Sequence, residues 1–311
     1  MKIIDLHQDL MLHMLSREKY QQNEQTSWAM IESSPLDLVV ATAFPDPVSG
    51  SQSDPTVMSL ITEDITRYQE FLKRNRASWK LVQTRHDLKS QKKKLVLHVE
   101  GLNTFTGTPA DWKQLEDWYQ SGIRSVGMFW NIDNALGGGT NSPTVPLTTL
   151  GAEVINWIES HKIVLDLAHA GRQTFFDIAE ITTQPLYVSH GNVDALCPSV
   201  RNYTDQQLRL IAESDGVIGV FFAKTFVTGK DQPGTIDSLV DHIDYLKQLT
   251  GIRHIALGSD FGGIISGTLD GLTSVHDFPA LLACLDVRGY TSEEIEAIFF
   301  KNATRVLSSH L

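Results

Sequence analysis

The chain has 311 residues, a length that suits one barrel-sized domain over residues 1–311. Its composition, with 41% hydrophobic and 20% charged residues, is that of an ordinary globular protein. Its formal net charge of -11 disfavours binding to nucleic acid or to an anionic membrane surface. Two cysteines exclude a disulfide framework and a four-cysteine zinc site. Because no leader-like segment and no apolar stretch of about 18 residues is evident, we expect a cytoplasmic protein.

Eight apolar runs of strand length recur along the chain, with segments of helical spacing between them. The predicted strands are residues 3–7, 38–44, 95–99, 123–129, 163–167, 186–189, 216–222 and 254–259. The clearest predicted helices are residues 112–120, 150–161, 173–182, 205–214 and 236–250. Nearly continuous hydrophobicity is typical of parallel strands covered on both faces. The alternation predicts a (β/α)8 TIM-like barrel, and a doubly wound sheet stays open because periodicity cannot show closure.

Local signals add a helix start and two loops. Thr204 is a candidate N-cap, since Gln207 follows three residues later in capping-box position. Residues 45–55 are rich in Pro, Ser and Asp and are predicted to form a loop. Residues 134–146, with glycines at 137–139, follow the fourth predicted strand. This second segment either approaches a bound ligand closely or simply connects two elements.

Polar residues end most of the predicted strands, where barrel enzymes place their reacting groups. All are of types that ligate divalent metals or move protons. They are His7 and Asp9 after the first strand, Glu100 after the third, His169 after the fifth, His190 after the sixth and Asp260 after the eighth. Their number and placement predict a metal site at one end of the barrel.

The spacing of these residues supports the prediction. His7 and Asp9 are two residues apart, so on an extended chain they point the same way and can reach one ion. Glu100 closes an apolar strand, where a carboxylate must be paired or bound to a cation, and its two oxygens can bridge two ions. His98 would face the same side, but we predict core packing for it.

Four residues have more specific candidate roles. His169 and His190 end strands that are adjacent in chain order, so their imidazoles can converge, and imidazole suits zinc. Asp260 precedes a turn with two glycines and is either a ligand or a general base. Arg201 is the best candidate to bind a substrate carboxylate, because its planar guanidinium can do so with two hydrogen bonds.

Several motifs carry a resemblance to a known family. They are DLHQDL at 5–10, VEG at 99–101, LDLAHAG at 165–171, YVSHGNVDALCPSVRN at 187–202, HIALGSDFGG at 254–263 and EEIEAIFFKNATRVL at 293–307. Together they resemble the membrane (renal) dipeptidases, metallopeptidases of the amidohydrolase-like barrel superfamily. The resemblance covers nearly the whole chain, and its most specific parts are the block ending at Asn202 and the GSDF motif.

The resemblance implies a role for each candidate residue. His7 and Asp9 would bind one divalent ion, with zinc the expected metal, and His169 and His190 would bind a second. Glu100 would bridge the two ions. Asp260 would be the catalytic acid/base, and Arg201 would bind the carboxylate of a dipeptide.

Two positions depart from the family pattern. Trp130 stands where better-known members carry a histidine thought to polarise the scissile carbonyl. Asn131 or a metal could replace that contact, and Trp130 could instead form a wall of the substrate pocket. Gly262 stands where the family usually has a second aspartate, so we assign it no role.

These features predict a metal-dependent dipeptidase that acts on a small-molecule substrate through a metal-bridging hydroxide, with Asp260 as acid/base. Two alternatives stay open. One is a binuclear hydrolase acting on another small amide or a lactone, such as an N-acyl amino acid or a D-configured dipeptide. The other is a barrel that binds a metal or ligand without catalysis. Whether the chain forms a homodimer is also left open.

Overall fold

The computed structural model describes residues 1–11, 25–44 and 56–311. The predicted loop at residues 45–55 lies outside the described residues. Nine strands occur in the described part: β1 (Ile3–Gln8), β2 (Leu36–Ala43), β3 (Trp79–Leu81), β4 (Lys93–Glu100), β5 (Ile123–Gly127), β6 (Val164–Asp166), β7 (Tyr187–Gly191), β8 (Val217–Val220) and β9 (Ile255–Leu257). Eight of them confirm the predicted strands. The sequence does not predict β3, because three residues with a central lysine carry too little of the strand pattern.

Helices separate most of the strands, as predicted. They are α1 (Trp28–Ser33), α2 (Thr56–Arg74), α3 (Pro109–Gln120), α4 (Thr149–Ser160), α5 (Arg172–Ile181), α6 (Asp205–Glu213), α7 (Lys224–Val227), α8 (Ile236–Thr250), α9 (Phe278–Val287), α10 (Ser292–Glu296) and α11 (Asn302–His310), with a π-helical segment, Ala297–Lys301, between the last two. The five predicted helices correspond to α3, α4, α5, α6 and α8. Among the described residues, no helix has the length and apolar character needed to cross a membrane.

Side-chain capping fixes where several helices begin. The Thr204 side chain accepts a hydrogen bond from the Gln207 backbone, and the Gln207 side chain accepts one from the Thr204 backbone. This confirms the predicted capping box at the start of α6. Thr108 and Thr235 begin α3 and α8 with the same arrangement. Each box satisfies backbone N–H groups that would otherwise lack partners at the helix start.

The chain divides into two compact units. The first unit comprises Met1–Leu10, Gln22–Val39 and Pro185–Val306, and the second unit comprises Met11–Gln21, Val40–Gln184 and Leu307–Leu311, as far as these residues are described. Each unit contains parallel strands and the helices that follow them.

In the first unit, β7, β8 and β9 pair in parallel, with Ile218 opposite Val188 on one side and Ile255 on the other. β1 lies beside the end of β9, where Gln8 and Phe261 form a parallel bridge. The register of β7 shifts after Val188, which places a bulge at the end of this strand. The carboxyl ends of these strands therefore meet at one edge of the first unit.

In the second unit, β3, β4, β5 and β6 pair in parallel in chain order. Glu100 at the end of β4 is opposite Gly127, and Gly127 is opposite Asp166 at the end of β6. The register shifts between Leu97 and His98, which is a second bulge just before a strand end. The residues that follow these strands consequently lie at one edge of the second unit.

The strands form the core, and its few polar members mark the candidate site. All six residues of β1 are buried, although Asp5, His7 and Gln8 are polar. In β4, seven of eight residues are buried, and Glu100 is one of them. Burying such groups costs free energy unless they are paired, so each of them needs a polar partner.

Candidate metal and active site

Asp5 of β1 is hydrogen-bonded to the segment that follows β9 in the first unit. Its carboxylate accepts hydrogen bonds from the Ser259 backbone N–H at 2.8 Å, the Ser259 hydroxyl at 2.5 Å and the Gln8 amide at 2.6 Å. Burial raises the pKa of the Asp5 carboxyl to about 6, and these hydrogen bonds lower it in part. The network holds His7 and Asp260 at fixed positions, because each is within two residues of a bonded group.

His7, Asp9 and Asp260 lie together at this edge of the first unit. His7 Nε2 is 3.6 Å from Asp260 Oδ1 and 3.8 Å from Asp9 Oδ2. One ligand-type atom from each of the three residues lies within 4.8 Å of the others. The backbone sets this arrangement, since the Asp260 N–H donates to the His7 carbonyl at 3.1 Å and the Asp9 N–H to the Phe261 carbonyl at 2.9 Å.

Asp260 has the properties of a group that moves protons. Burial raises the pKa of its carboxyl to about 7, while a hydrogen bond with Asp9 and the charge of Arg201 lower it in part. Its backbone is left-handed, with φ at 62°, a conformation that is uncommon outside glycine. A carboxyl group with a pKa near neutrality can both take and return a proton at neutral pH.

Glycines make room for these carboxylates. A Cβ on Gly263 would overlap the Asp9 carboxylate and would lie 2.8 Å from Asp260 Oδ1. Gly262 has φ at 98°, and a Cβ there would overlap the Asp9 carbonyl oxygen. The Gly262 N–H instead donates to Gln25 Oε1 at 2.9 Å. The absence of the usual family aspartate at position 262 therefore agrees with the local backbone.

His190 and Arg201 are the other candidate site residues of the first unit. The His190 ring lies 4.1 Å from the His7 ring, measured between centroids, and its Nδ1 is 2.8 Å from the Ser189 hydroxyl. Arg201 Nη2 donates to the His190 carbonyl at 3.1 Å, and its guanidinium lies 5.5 Å from the Phe221 ring centroid. The arginine is only 5% exposed. The loop after β7 thus holds a buried cation next to a candidate metal ligand.

The second unit brings Glu100 and His169 together. His169 Nε2 is 3.2 Å from Glu100 Oε1, and His169 Nδ1 is 3.0 Å from Asn131 Oδ1. His169 has φ at 63°, and the Thr140 hydroxyl donates to its carbonyl at 3.1 Å. Asn131 therefore lies against the histidine side chain, which the sequence alone does not predict.

Trp130 lies beside aromatic rings, whereas His98 lies beside a hydroxyl group in the core. The Trp130 ring lies 5.0 Å from the Phe44 ring and 6.1 Å from the His169 ring, so it forms an aromatic flank beside His169. His98 is fully buried, with Nδ1 2.9 Å from the Ser125 hydroxyl. Burial lowers the pKa of His98, which favours the neutral imidazole of a packed core residue.

The glycine-rich loop after β5 packs against neighbouring segments of the second unit. The Gly138 N–H donates to the Thr174 hydroxyl at 2.9 Å, and the Gly138 carbonyl accepts from the Gly171 N–H at 2.8 Å. A Cβ on Gly139 would overlap the Ile132 carbonyl. The close approach needed at these glycines is thus to neighbouring backbone within the second unit.

Sequence reasoning missed Asp5, Ser259 and Gln25 as supporting residues. Asp5 does carry a signal, since an acidic residue inside the apolar run of β1 needs a buried partner. Ser259 and Gln25 carry none, because their partners are distant in sequence and their residue types are common on surfaces.

The residues present fit a divalent metal. Imidazole nitrogens and carboxylate oxygens are the usual ligands of zinc. The buried Asp9 and the partly buried Asp260 place two carboxylates next to one imidazole, and Glu100 faces another imidazole nitrogen. A cation would relieve the repulsion between such groups.

Comparisons with known proteins identify the family and the fold. The model of a family described as membrane dipeptidase, peptidase family M19, matches residues 1–310. An uncharacterised protein from the pqqA 5′ region of Klebsiella pneumoniae is 39% identical over 226 residues, covering 69% of this chain and 81% of that protein. An uncharacterised dipeptidase of Schizosaccharomyces pombe is 30% identical over 218 residues. The match covers 68% of this chain and 52% of the yeast protein.

Two solved structures are similar over nearly the whole chain. A metallopeptidase from Rhodobacter sphaeroides, crystallised with a phosphinate mimic of L-Ala-D-Ala, has a TM-score of 0.89 at 22% identity and covers 100% of this chain and 99% of its own. A probable dipeptidase from Pseudomonas aeruginosa has a TM-score of 0.87 at 17% identity, covering 99% and 95%. These likenesses confirm the predicted (β/α)8 barrel fold class. Since the family model matches from residue 1 to 310, the chain belongs to the membrane dipeptidase family, peptidase family M19.

Proposed function

We propose that this protein is a metal-dependent dipeptidase. The observation that carries the proposal is the cluster of buried His7 and Asp9 with the partly buried Asp260, found in a chain that belongs to a dipeptidase family. Family membership and the fit of the residues support two divalent ions, with zinc the expected metal. We assign His7 and Asp9 to one ion, His169 and His190 to the other, and Glu100 as their shared ligand.

Asp260 is assigned the proton transfers of the reaction. Bound divalent ions would supply a Lewis acid and make water nucleophilic at neutral pH. The Asp260 carboxylate would accept the proton of the attacking water and return it to the leaving amine. The raised pKa of this carboxyl, about 7, supports the assignment because both of its protonation states are then accessible at neutral pH.

Arg201 is assigned to bind the substrate carboxylate. Its guanidinium is fixed by the His190 carbonyl and by the face of Phe221, so little side-chain entropy is lost on binding. A buried guanidinium also needs an anionic partner more than an exposed one does. A dipeptide offers that partner at its C-terminal end.

The test combines metal content with hydrolysis. Wild-type protein should lose activity with a chelator and regain it with zinc. Asp260→Asn should keep its metal and lose turnover by at least about 100-fold, as expected for removal of a general acid/base. Full activity of metal-free wild type, or an unchanged rate in Asp260→Asn, would contradict the proposal. Binding of dipeptides without cleavage would support a non-catalytic barrel instead.

A second candidate is hydrolysis of a D-configured or otherwise modified substrate. Trp130 favours it, because the bulky indole beside His169 replaces the histidine of better-known family members. The structurally similar Rhodobacter enzyme was crystallised with a mimic of L-Ala-D-Ala. Rates for matched L,L and L,D dipeptides and for N-acyl amino acids separate the candidates. Trp130→Ala should change their ratio if the indole forms part of the substrate pocket.

We also propose that residues 1–311 form one domain and act as one unit. The continuous match of the family model over residues 1–310 supports this. A single cooperative unfolding transition, seen by two independent probes, would agree with it.

A further inference from the structure

We infer that Asn131 is a positioning residue for His169, holding this imidazole in the tautomer and orientation that a metal ligand needs. The inference rests on the metal site of the proposed function. It assigns Asn131 a role other than contact with the substrate carbonyl.

The two nitrogens of the His169 ring have different partners. Nδ1 lies 3.0 Å from Asn131 Oδ1, and Nε2 lies 3.2 Å from Glu100 Oε1. An amide oxygen can only accept a hydrogen bond, so Nδ1 carries the proton. In the neutral ring, Nε2 then presents its lone pair toward Glu100, as a metal-ligating histidine requires.

The backbone conformation at Asn131 and His169 orients their two side chains. Asn131 and His169 both adopt left-handed conformations, with φ at 55° and 63°. Asparagine tolerates this region better than most residues. The conformation turns the Asn131 side chain out of the line of β5 and toward the residue that follows β6.

The loop at residues 139–141 fixes both Asn131 and His169. The Asn141 N–H donates to the Asn131 carbonyl at 2.7 Å, and the Thr140 hydroxyl donates to the His169 carbonyl at 3.1 Å. Between them, Gly139 pairs with Ala170 in an antiparallel bridge. This explains why position 139 is a glycine, since a Cβ there would lie 2.9 Å from the Asn131 carbonyl carbon. The loop sets the distance between the amide and the imidazole.

Two variants at position 131 test the role. Asn131→Gly removes the amide and suits the left-handed backbone, so folding strain does not confuse the result. It should weaken binding of one of two metal equivalents by about 10–100-fold, as for loss of other groups that orient a ligand histidine. Asn131→Asp keeps an acceptor and should hold both metals as tightly as wild type. Lys162→Gly is the matched control, because Lys162 is also left-handed, with φ at 53°, but precedes β6 instead of following it.

The measurement is zinc competition against a chromophoric chelator, followed by kcat and KM at saturating zinc. A positioning role predicts that excess zinc restores most of kcat in Asn131→Gly. Unchanged metal affinity with a lower kcat would overturn the inference and favour contact with the substrate. Equal loss of affinity in Asn131→Asp would also overturn it, because the amide would then be acting as a donor. Absence of zinc binding by wild type would instead refute the proposed function.

Discussion

Asp64 should make the stability of the protein depend on pH. This residue of α2 is fully buried, and Arg67 Nη1 is 3.9 Å from its Oδ1. Burial raises the pKa of the Asp64 carboxyl from 3.8 to about 7, although the Arg67 charge lowers it in part. We predict that Asp64→Asn stabilises the protein at neutral and alkaline pH but not in acid.

The sign and size follow from proton linkage. The raised pKa means that the folded state binds more protons than the unfolded state between pH 3.8 and about 7. The contribution of Asp64 to stability is therefore fully present below pH 3.8 and is lost as the pH rises through about 7. A shift of about 3 pKa units, at about 1.4 kcal/mol each, amounts to about 4 kcal/mol.

Urea unfolding of wild type and Asp64→Asn between about pH 4 and about pH 8 measures this effect. Both proteins should contain a chelator, because metal binding is itself pH-dependent. The stability difference should rise by up to about 4 kcal/mol across this range. Glu70→Gln is the control, since Glu70 lies on the same helix with its side chain 58% exposed and pairs with Arg74. A difference for Asp64→Asn that is as flat as that of the control would refute the reasoning.

Two further substitutions test the first unit. Gly263→Ala should abolish activity and reduce metal content, because the added Cβ would overlap the Asp9 carboxylate. Gly267→Ala, where a Cβ meets no atom within 4 Å but φ is 100°, should cost about 1–2 kcal/mol of stability through backbone strain and keep activity. Metal analysis and rate assays on both variants decide this, and equal activities would contradict it. Arg201→Lys should raise KM for dipeptides by about 10-fold or more with a smaller change in kcat, because lysine cannot form the bidentate contact. An unchanged KM in steady-state assays would remove Arg201 from the substrate site.

The strands and helices were predictable because their signals are local. Each apolar run of four to seven residues corresponds to a strand, and the Thr204–Gln207 capping box lies at the start of α6. The sequence does not predict β3, because this strand depends on its pairing with β4 more than on the pattern of its own three residues. Only agreement with known structures decided between a closed barrel and a doubly wound sheet, since closure depends on pairing between distant strands.

The sequence predicts the candidate site only to the level of residue type and strand end. The candidate residues stand out in the sequence because each follows a predicted strand, where barrel enzymes place their reacting groups. They are His7, Asp9, Glu100, His169, His190 and Asp260. The motifs around Arg201 and Asp260 indicate the family from the sequence alone. The role of each residue is not contained in this spacing.

The sequence by itself determined the order of elements, the ligand-type residues and the family, since each is written in short stretches of chain. Only the tertiary structure decided that Asp5 bonds Ser259, 254 residues away, and that Asn131 lies against His169. It also decided that Asp64 and Asp260 are held away from water, which raises the pKa of each to about 7. Such properties arise from groups that are distant in sequence and from desolvation, and neither can be determined before the chain is folded.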